Sequence, residues 1–128
     1  MGDSKLDPKT ICSQIRDALK KGVRIPKPRS KEAYRFVGWR SSRGEEAFVY
    51  EIPERPGSKR PSTKRIPCSA FKEACRTLLE NGEITRAWFA EAFPQVNADG
   101  SCNFTTLGGI FQILGLAKCV RPGVYQRL

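Results

Sequence analysis

Apolar and polar positions along residues 103–114 recur with the period of an α-helix, so that one face of the segment is apolar throughout. Asn103 and Thr105 are both suited to begin this helix, because their side chains accept a backbone N–H that the first turn leaves free. Gly115 is suited to end it in the left-handed conformation. The predicted apolar face consists of Phe104, Leu107, Ile110, Phe111 and Leu114.

Two shorter helical patterns precede this segment. The first begins at Ser69 and is stopped by an Asn-Gly pair at residues 81–82. The second is capped by Thr85 and closed by Pro94, and we predict a loop from there to the next helix. The predicted inward residues are Phe71, Ala74, Cys75, Leu78 and Leu79 in the first helix, and Trp88, Phe89, Ala92 and Phe93 in the second.

The chain closes with a pattern typical of a tight β-hairpin. Residues 122–123 are Pro-Gly, a pair that fits the centre of a type II turn, and a short strand is predicted on each side. A two-residue loop would pair Arg121 with Val124 and would place Lys118 opposite Arg127. Like charges in that position repel weakly, and a bound phosphate would relieve the repulsion.

The N-terminal part of the chain predicts one helix and one hairpin. Asp7 and Pro8 suit the start of the helix, and Gly22 suits its end. Residues 34–40 and 47–52 are rich in aromatic and β-branched side chains, which predicts two strands joined by a turn. Strict alternation places Tyr34 and Phe36 on one face of the first strand and Val37 and Trp39 on the other.

The formal net charge of +10 is typical of a protein with a polyanionic partner. Much of it lies in residues 20–31, which are either an arm along phosphates or a solvated linker, and in the proline-rich residues 53–67. The second segment predicts a basic loop between residues 1–52 and a domain over 68–128, unless the chain forms one compact unit. The candidate phosphate contacts are Lys27 and Arg29 in the first segment and Lys59, Arg60, Lys64 and Arg65 in the second.

Five cysteines and the absence of histidine limit the chemistry that the chain can perform. The cysteines are widely spaced and form no Cys-x-x-Cys pair, which predicts reduced thiols in a cytoplasmic protein and no metal site. With no imidazole base, phosphate-binding glycine loop or dinucleotide fingerprint, the sequence predicts neither an enzyme nor a cofactor. No apolar stretch is long enough to span a bilayer, so no membrane association is expected.

In the order of its elements, the segment over residues 67–128 resembles a winged-helix domain of the helix-turn-helix type. The order is helix, short extended link at residues 83–84, helix, loop, helix and two-stranded hairpin, and the ending LGLAKCVRPGVYQRL is similar to the wing that closes many such domains. The resemblance implies an α+β fold: a three-helix winged-helix domain with a C-terminal wing, preceded by the N-terminal helix and hairpin.

The resemblance also implies which residues meet nucleic acid. In this family the third helix usually enters the major groove, and the wing touches the backbone or the minor groove. The first turn of the second helix offers free N–H groups to a phosphate. Gly108 and Gly109 permit close approach, either of a DNA backbone or of a packed element. The implied contacts are Thr105, Thr106 and Gln112 on the outward face of the third helix, beside Gly109, then Arg86 in the second helix, and Lys118, Arg121 and Arg127 on the wing.

These observations predict a nucleic-acid-binding protein, with duplex DNA favoured and RNA left open. We expect affinity to come mainly from phosphate contacts of the basic segments and the wing, so binding should fall steeply with salt. A second hypothesis is a winged-helix scaffold that binds a protein partner, because the predicted third helix carries no arginine or lysine. The pattern does not indicate an oligomeric state.

Overall fold

The helix predicted over residues 103–114 lies at the centre of the fold. It is α5 (Cys102–Ile113) in a computed structural model that describes residues 6–27, 30–52 and 62–128. Asn103, Phe104 and residues 106–111 are buried, because strands of both sheets contact the helix. Phe104, Leu107, Ile110 and Phe111 of the predicted apolar face are buried as expected. Burial extends beyond that face, so α5 is covered around most of its circumference.

Helices and two antiparallel sheets make up the described part of the chain, which is an α+β fold as predicted. The structure contains five helices in the described residues, and four of them lie in the part for which three were predicted. The helices preceding α5 are α1 (Ile11–Ala18), α2 (Cys68–Asn81), α3 (Arg86–Ala92) and α4 (Pro94–Asp99). The strands are β1 (Arg24–Lys27), β2 (Ser30–Ser42), β3 (Glu45–Ile52), β4 (Ser62–Pro67), β5 (Glu83–Thr85), β6 (Ala117–Arg121) and β7 (Val124–Arg127).

The first sheet has the strand order β1-β2-β3-β4 and contains the predicted hairpin as β2 and β3. Arg43 and Gly44 form the turn, with φ values of 51° and 82° that suit a type I′ turn. A register shift between Phe36 and Gly38 adds one residue to β2, so Trp39 returns to the face of Phe36. The predicted placement of Trp39 on the opposite face is wrong. The aromatic face, which we call the inner face, carries Tyr34, Phe36, Trp39, Phe48 and Tyr50.

The two basic segments, for which an arm or linker and a loop were predicted, each contribute a strand at an edge of the first sheet. β1 pairs with β2, and β4 pairs with β3 from Ser62 to Pro67. Pro26 and Pro67 are tolerated because an edge strand leaves one side of its backbone unpaired and the end of a strand needs few partners. Residues 62–67 are therefore a strand and not the predicted loop. The proposed division of the chain stays a prediction, since residues 53–61 lie outside the described part.

The starts of the helices follow the capping signals only in part. Thr85 caps α3 as predicted, its hydroxyl accepting the N–H of Trp88 at 3.0 Å. Ser69 does not cap α2; it lies inside the first turn, and Glu45 accepts both its N–H and its hydroxyl. Pro94 follows α3 but also begins α4, where its missing N–H costs nothing, so part of the predicted loop is helical.

The second sheet places β7 between β5 and β6. The β6–β7 pair, which we call the C-terminal hairpin, has the predicted two-residue loop, and Arg121 pairs with Val124. A register shift between Cys119 and Arg121 leaves Val120 as an extra residue. Lys118 therefore lies opposite Gln126, and the predicted pairing of Lys118 with Arg127 is wrong.

One cluster of buried side chains joins both sheets to the helices. It runs from Ile11 of α1 through Phe48 of β3 and Phe71 of α2 to Phe111 of α5 and Tyr125 of β7. The α2 and α5 helices each contact strands of both sheets, which holds the two sheets at fixed positions. Among the helices that the structure describes, none is long and apolar enough to cross a membrane.

Candidate nucleic-acid interface

The C-terminal hairpin presents two cations on one face. Lys118 pairs with Gln126 and Arg121 pairs with Val124, and these partners are alternate residues of β7, so they share a face of the sheet. Lys118 and Arg121 are three residues apart and would lie on opposite faces of a regular strand, but the extra residue Val120 brings them together. Both side chains are exposed.

Arg127 lies on the other face of the hairpin. It pairs with Ala117, one residue away from the pair formed by Lys118 and Gln126. Its side chain is exposed at the end of β7. The three cations predicted for the wing are thus divided between its two faces, and only Lys118 and Arg121 can act on the same ligand surface.

Arg86 ties the hairpin to two helices. Its backbone N–H donates to the Gly123 carbonyl at 2.9 Å, which fixes the turn of the hairpin against the first residue of α3. Its guanidinium donates to the Ser101 carbonyl at 2.9 Å and to the Thr105 hydroxyl at 3.1 Å, both at the start of α5. The same group lies 5.3 Å from the centroid of the Phe104 ring. Arg86 therefore orients the hairpin relative to α5 as well as adding positive charge.

Replacing Arg86 with lysine tests this connecting role. An ammonium group cannot reproduce both contacts of the guanidinium, so we expect the free energy of unfolding to fall by about 0.5 to 1 kcal/mol, as for a single hydrogen bond. Urea denaturation of the variant measures the change. Arg76→Lys on α2 is the matched control, because Arg76 forms a salt bridge with Glu73 within its own helix. An Arg86→Lys protein as stable as this control would contradict the role.

The residues predicted on the outward face of α5 differ in exposure. Thr106 is fully buried and cannot touch a base, so its assignment is wrong; α5 packs against strands on that side. Thr105 is partly exposed, and its hydroxyl already accepts the guanidinium of Arg86. Gln112 is exposed in the last turn. Gly109 is buried, which also corrects its predicted outward position.

The basic residues of β4 lie on opposite faces of the first sheet. Lys64 pairs with Tyr50 and reaches across the inner side to donate to the Asp99 carbonyl at 2.9 Å, at the end of α4. Arg65 pairs with Val49 and lies on the outer face. Lys27 is the last residue of β1, without a described side chain. Arg29, Lys59 and Arg60 lie outside the described residues.

Sequence patterns missed a further group of arginines. Arg24, Arg35 and Arg40 are exposed on the outer face of the first sheet, where Arg65 also lies. Two signals were present: Arg35 alternates with the aromatic residues beside it, and an isolated glycine such as Gly38 inside a strand indicates a bulge. The bulge is what moves Arg40 to the same face as Arg35.

The buried thiols and phenols are neutral structural groups. Burial raises the pKa of Cys12 to about 12 and that of Cys75 to about 11. Burial is also the main cause that raises the pKa of Tyr125 above its usual range, and the nearby Cys119 adds to it while Arg86 opposes it. In the described part of the chain all five cysteines are free, and no three of the potential ligands His, Cys, Asp and Glu come together as a metal site would need.

The candidate interface therefore consists of the Lys118 and Arg121 face of the C-terminal hairpin, held by Arg86. Tyr125, which packs against Gly108 of α5, lies on the opposite face of the hairpin, and no described contact joins Thr105 or Gln112 to the two cations. The chemistry of the interface is cationic and suits an anion, and α5 itself contributes no charge to it. No protein-family model, curated protein or solved structure matches the chain.

Proposed function

We propose that the chain is a winged-helix protein that binds nucleic acid, with duplex DNA as the favoured partner. The order of elements supports this: α2, β5, α3, α5 and the C-terminal hairpin follow one another as helix, strand, helix, helix and wing. In the second sheet β5 pairs with the last strand of the hairpin, so the first extended link of the domain and the wing belong to one sheet. The short helix α4 is an addition between the second and third helices of this scheme.

The observation that carries the proposal is the position of Lys118 and Arg121 on one face of the hairpin. Duplex DNA carries a dense array of phosphates, and two cations on one face of a hairpin can contact it together. Within the part of the chain that the structure describes, no salt bridge involves either side chain. Their charge is therefore available to an external anion.

The buried position of α5 sets the expected specificity. Its accessible polar side chains are Thr105 and Gln112, and neither can form the bidentate contact that arginine makes with guanine. Gln112 is the residue that can contact a base edge. We therefore propose binding that depends mainly on phosphates, with weak preference for sequence.

A Lys118→Gln/Arg121→Gln variant tests the hairpin as an interface. Loss of two phosphate contacts should weaken binding of a labelled random-sequence duplex severalfold and reduce the slope of log K against log salt by about 1.8. Fluorescence anisotropy at two salt concentrations measures both quantities, with single-stranded DNA and duplex RNA as competitors. Lys72→Gln/Arg76→Gln on the exposed side of α2 is the control with the same change of charge.

The outcomes separate the two hypotheses. A native protein that does not bind duplex at about 50 mM salt, where non-specific phosphate contacts are strong, would refute nucleic-acid binding. The second proposal, a protein-interaction module, would then take its place. Two exposed apolar side chains support this proposal: Ile113 at the end of α5 is 40% exposed and Val120 within the hairpin is 38% exposed. In that case replacement of Thr105 and Gln112 would abolish partner binding.

A further inference from the structure

The outer face of the first sheet is a separate cationic surface that the proposed hairpin interface does not use. Successive side chains of a strand point to opposite faces, and the inner positions carry core residues such as Phe36, Phe48 and Tyr50. Ala47 and Val49 alternate with these residues on β3 and do not belong to the core cluster, so the outward positions are directed away from it. The exposed cations on this face are Arg24, Arg35, Arg40 and Arg65.

The centre of this face is low and apolar. Gly38 pairs with Val49, and Arg40 pairs with Ala47 on the neighbouring strand. Ala47 is 1% exposed and Val49 is 4% exposed, so these short residues, which we call the floor, are covered by longer side chains. A Cβ at Gly38 would lie 3.6 Å from Cε of Lys21, so that lysine covers part of the floor. The outermost groups of the surface are therefore the cationic side chains around the floor.

Among the described side chains of this face, arginines outnumber carboxylates. Glu51 is paired with Arg35, and Glu45 is engaged by the N–H and hydroxyl of Ser69. Arg24 and Arg40 have no carboxylate partner among the side chains that the structure describes. A polyanion would therefore meet guanidinium groups that no carboxylate neutralises, one on β1 and one on β2.

A concave site adjoins the floor at the edge of β4. It is a cavity of about 420 Å³ beside Ala47, and the cations on its wall are Arg43, Lys64 and Arg65. The carboxylates of Glu45 and Asp99 also line it, and both already accept hydrogen bonds, from Ser69 and from Gln95. The cavity is large enough for a phosphate group and carries cations on the side of the outer face.

We propose that this outer face is a second phosphate-binding surface for duplex nucleic acid, an inference that rests on the function proposed above. Single-stranded nucleic acid is usually held by aromatic side chains that stack on its bases. Every aromatic residue of β2 and β3 lies on the inner face, so this surface offers no stacking platform. Guanidinium groups around an apolar floor suit the backbone of a duplex, whose bases are already stacked.

The triple variant Arg24→Gln/Arg40→Gln/Arg65→Gln tests the proposal in the full chain. Glutamine keeps part of each aliphatic stem over the floor, and urea denaturation of the variant checks that it folds. We expect affinity for a random-sequence DNA duplex to fall about tenfold or more at roughly 100 mM salt, with the salt slope lowered by about 2 to 3. The corresponding triple lysine variant should retain the slope, because lysine also neutralises phosphate.

A control triple variant, Lys9→Gln/Lys72→Gln/Arg76→Gln, has the same net charge but alters exposed residues elsewhere. If the sheet triple variant and this control triple variant have equal affinities and salt slopes, the outer face is not a phosphate-binding surface. The hairpin proposal would be unaffected by that result. If the sheet triple variant loses binding and the Lys118→Gln/Arg121→Gln variant does not, the result would support the outer face and exclude the hairpin from the interface. Single-stranded DNA competing better than duplex would overturn the choice of ligand, and a native protein without duplex binding would overturn both proposals.

Discussion

Alanine at position 108 is expected to destabilise the protein by about 2 kcal/mol or more, although alanine favours a helix over glycine by about 1 kcal/mol. The reason is the Tyr125 ring: a Cβ at position 108 would lie 2.2 Å from two of its atoms. Urea denaturation decides the sign of the change. An unstrained site would give a more stable variant, and a blocked site gives a less stable one.

The ring cannot easily move away from position 108. Tyr125 is 1% exposed and meets the Phe104 ring edge to face, with 5.6 Å between the centroids. Its hydroxyl donates to the Thr105 carbonyl at 3.4 Å. A shift of the ring would therefore disturb β7 and the first turn of α5 together, which is why we expect a large effect.

A double variant provides the control for this prediction. Tyr125→Leu alone loses buried area, but it also removes the atoms that the new methyl group would strike. The cost of Gly108→Ala should therefore be smaller by at least about 1 kcal/mol in the Tyr125→Leu background than in the native protein. A cost that is the same in both backgrounds would show that the ring is not the obstacle.

Asn103→Ala is the second large change, with an expected loss of about 2 to 4 kcal/mol in the free energy of unfolding. Asn103 is fully buried; its carbonyl accepts the Tyr50 hydroxyl, and its amide donates to the Val96 carbonyl at 2.8 Å. Alanine leaves the Val96 carbonyl without this donor and opens a small cavity. Burial raises the pKa of Tyr50 above its usual range, so its phenol stays a neutral donor.

Two further variants test whether the loss of stability comes from the buried hydrogen bonds of Asn103. Asn81→Ala at the exposed end of α2 is the control and should change stability by no more than about 0.5 kcal/mol. Tyr50→Phe should cost less than Asn103→Ala, because the asparagine amide still reaches Val96. A loss below about 0.5 kcal/mol for Asn103→Ala, measured from the urea midpoint at constant slope, would contradict the buried network.

The residues around position 103 also show how far the sequence predicts the fold. The periodicity of α5 gave its length and most of its core, because buried apolar residues follow the helix period whatever they pack against. It did not reveal that Asn103 and Thr106 are buried. A sequence pattern places polar side chains on the exposed side of a helix. Here strands of the two sheets cover α5 on both sides, which buries these two polar residues.

Edge strands were missed for a related physical reason. β1 and β4 contain proline and many charges, which are typical of loops in a single sequence. An edge strand tolerates both, because half of its backbone groups need no partner. Because β1 and β4 were not predicted as strands, the arginines on the outer face of the first sheet were not predicted to lie together. These arginines become neighbours only when the strands that carry them are paired, so clustering of charge along the chain could not place them.

The extra residue Val120 has a consequence for how the hairpin tolerates change. Successive residues of a strand point to opposite faces, so the face on which each cation lies depends on the number of residues in β6 as well as on their identity. A chain one residue shorter there would keep every cation of the hairpin and yet separate Lys118 from Arg121 across the sheet. The number of residues in β6 therefore determines whether the two cations lie on one face of the hairpin.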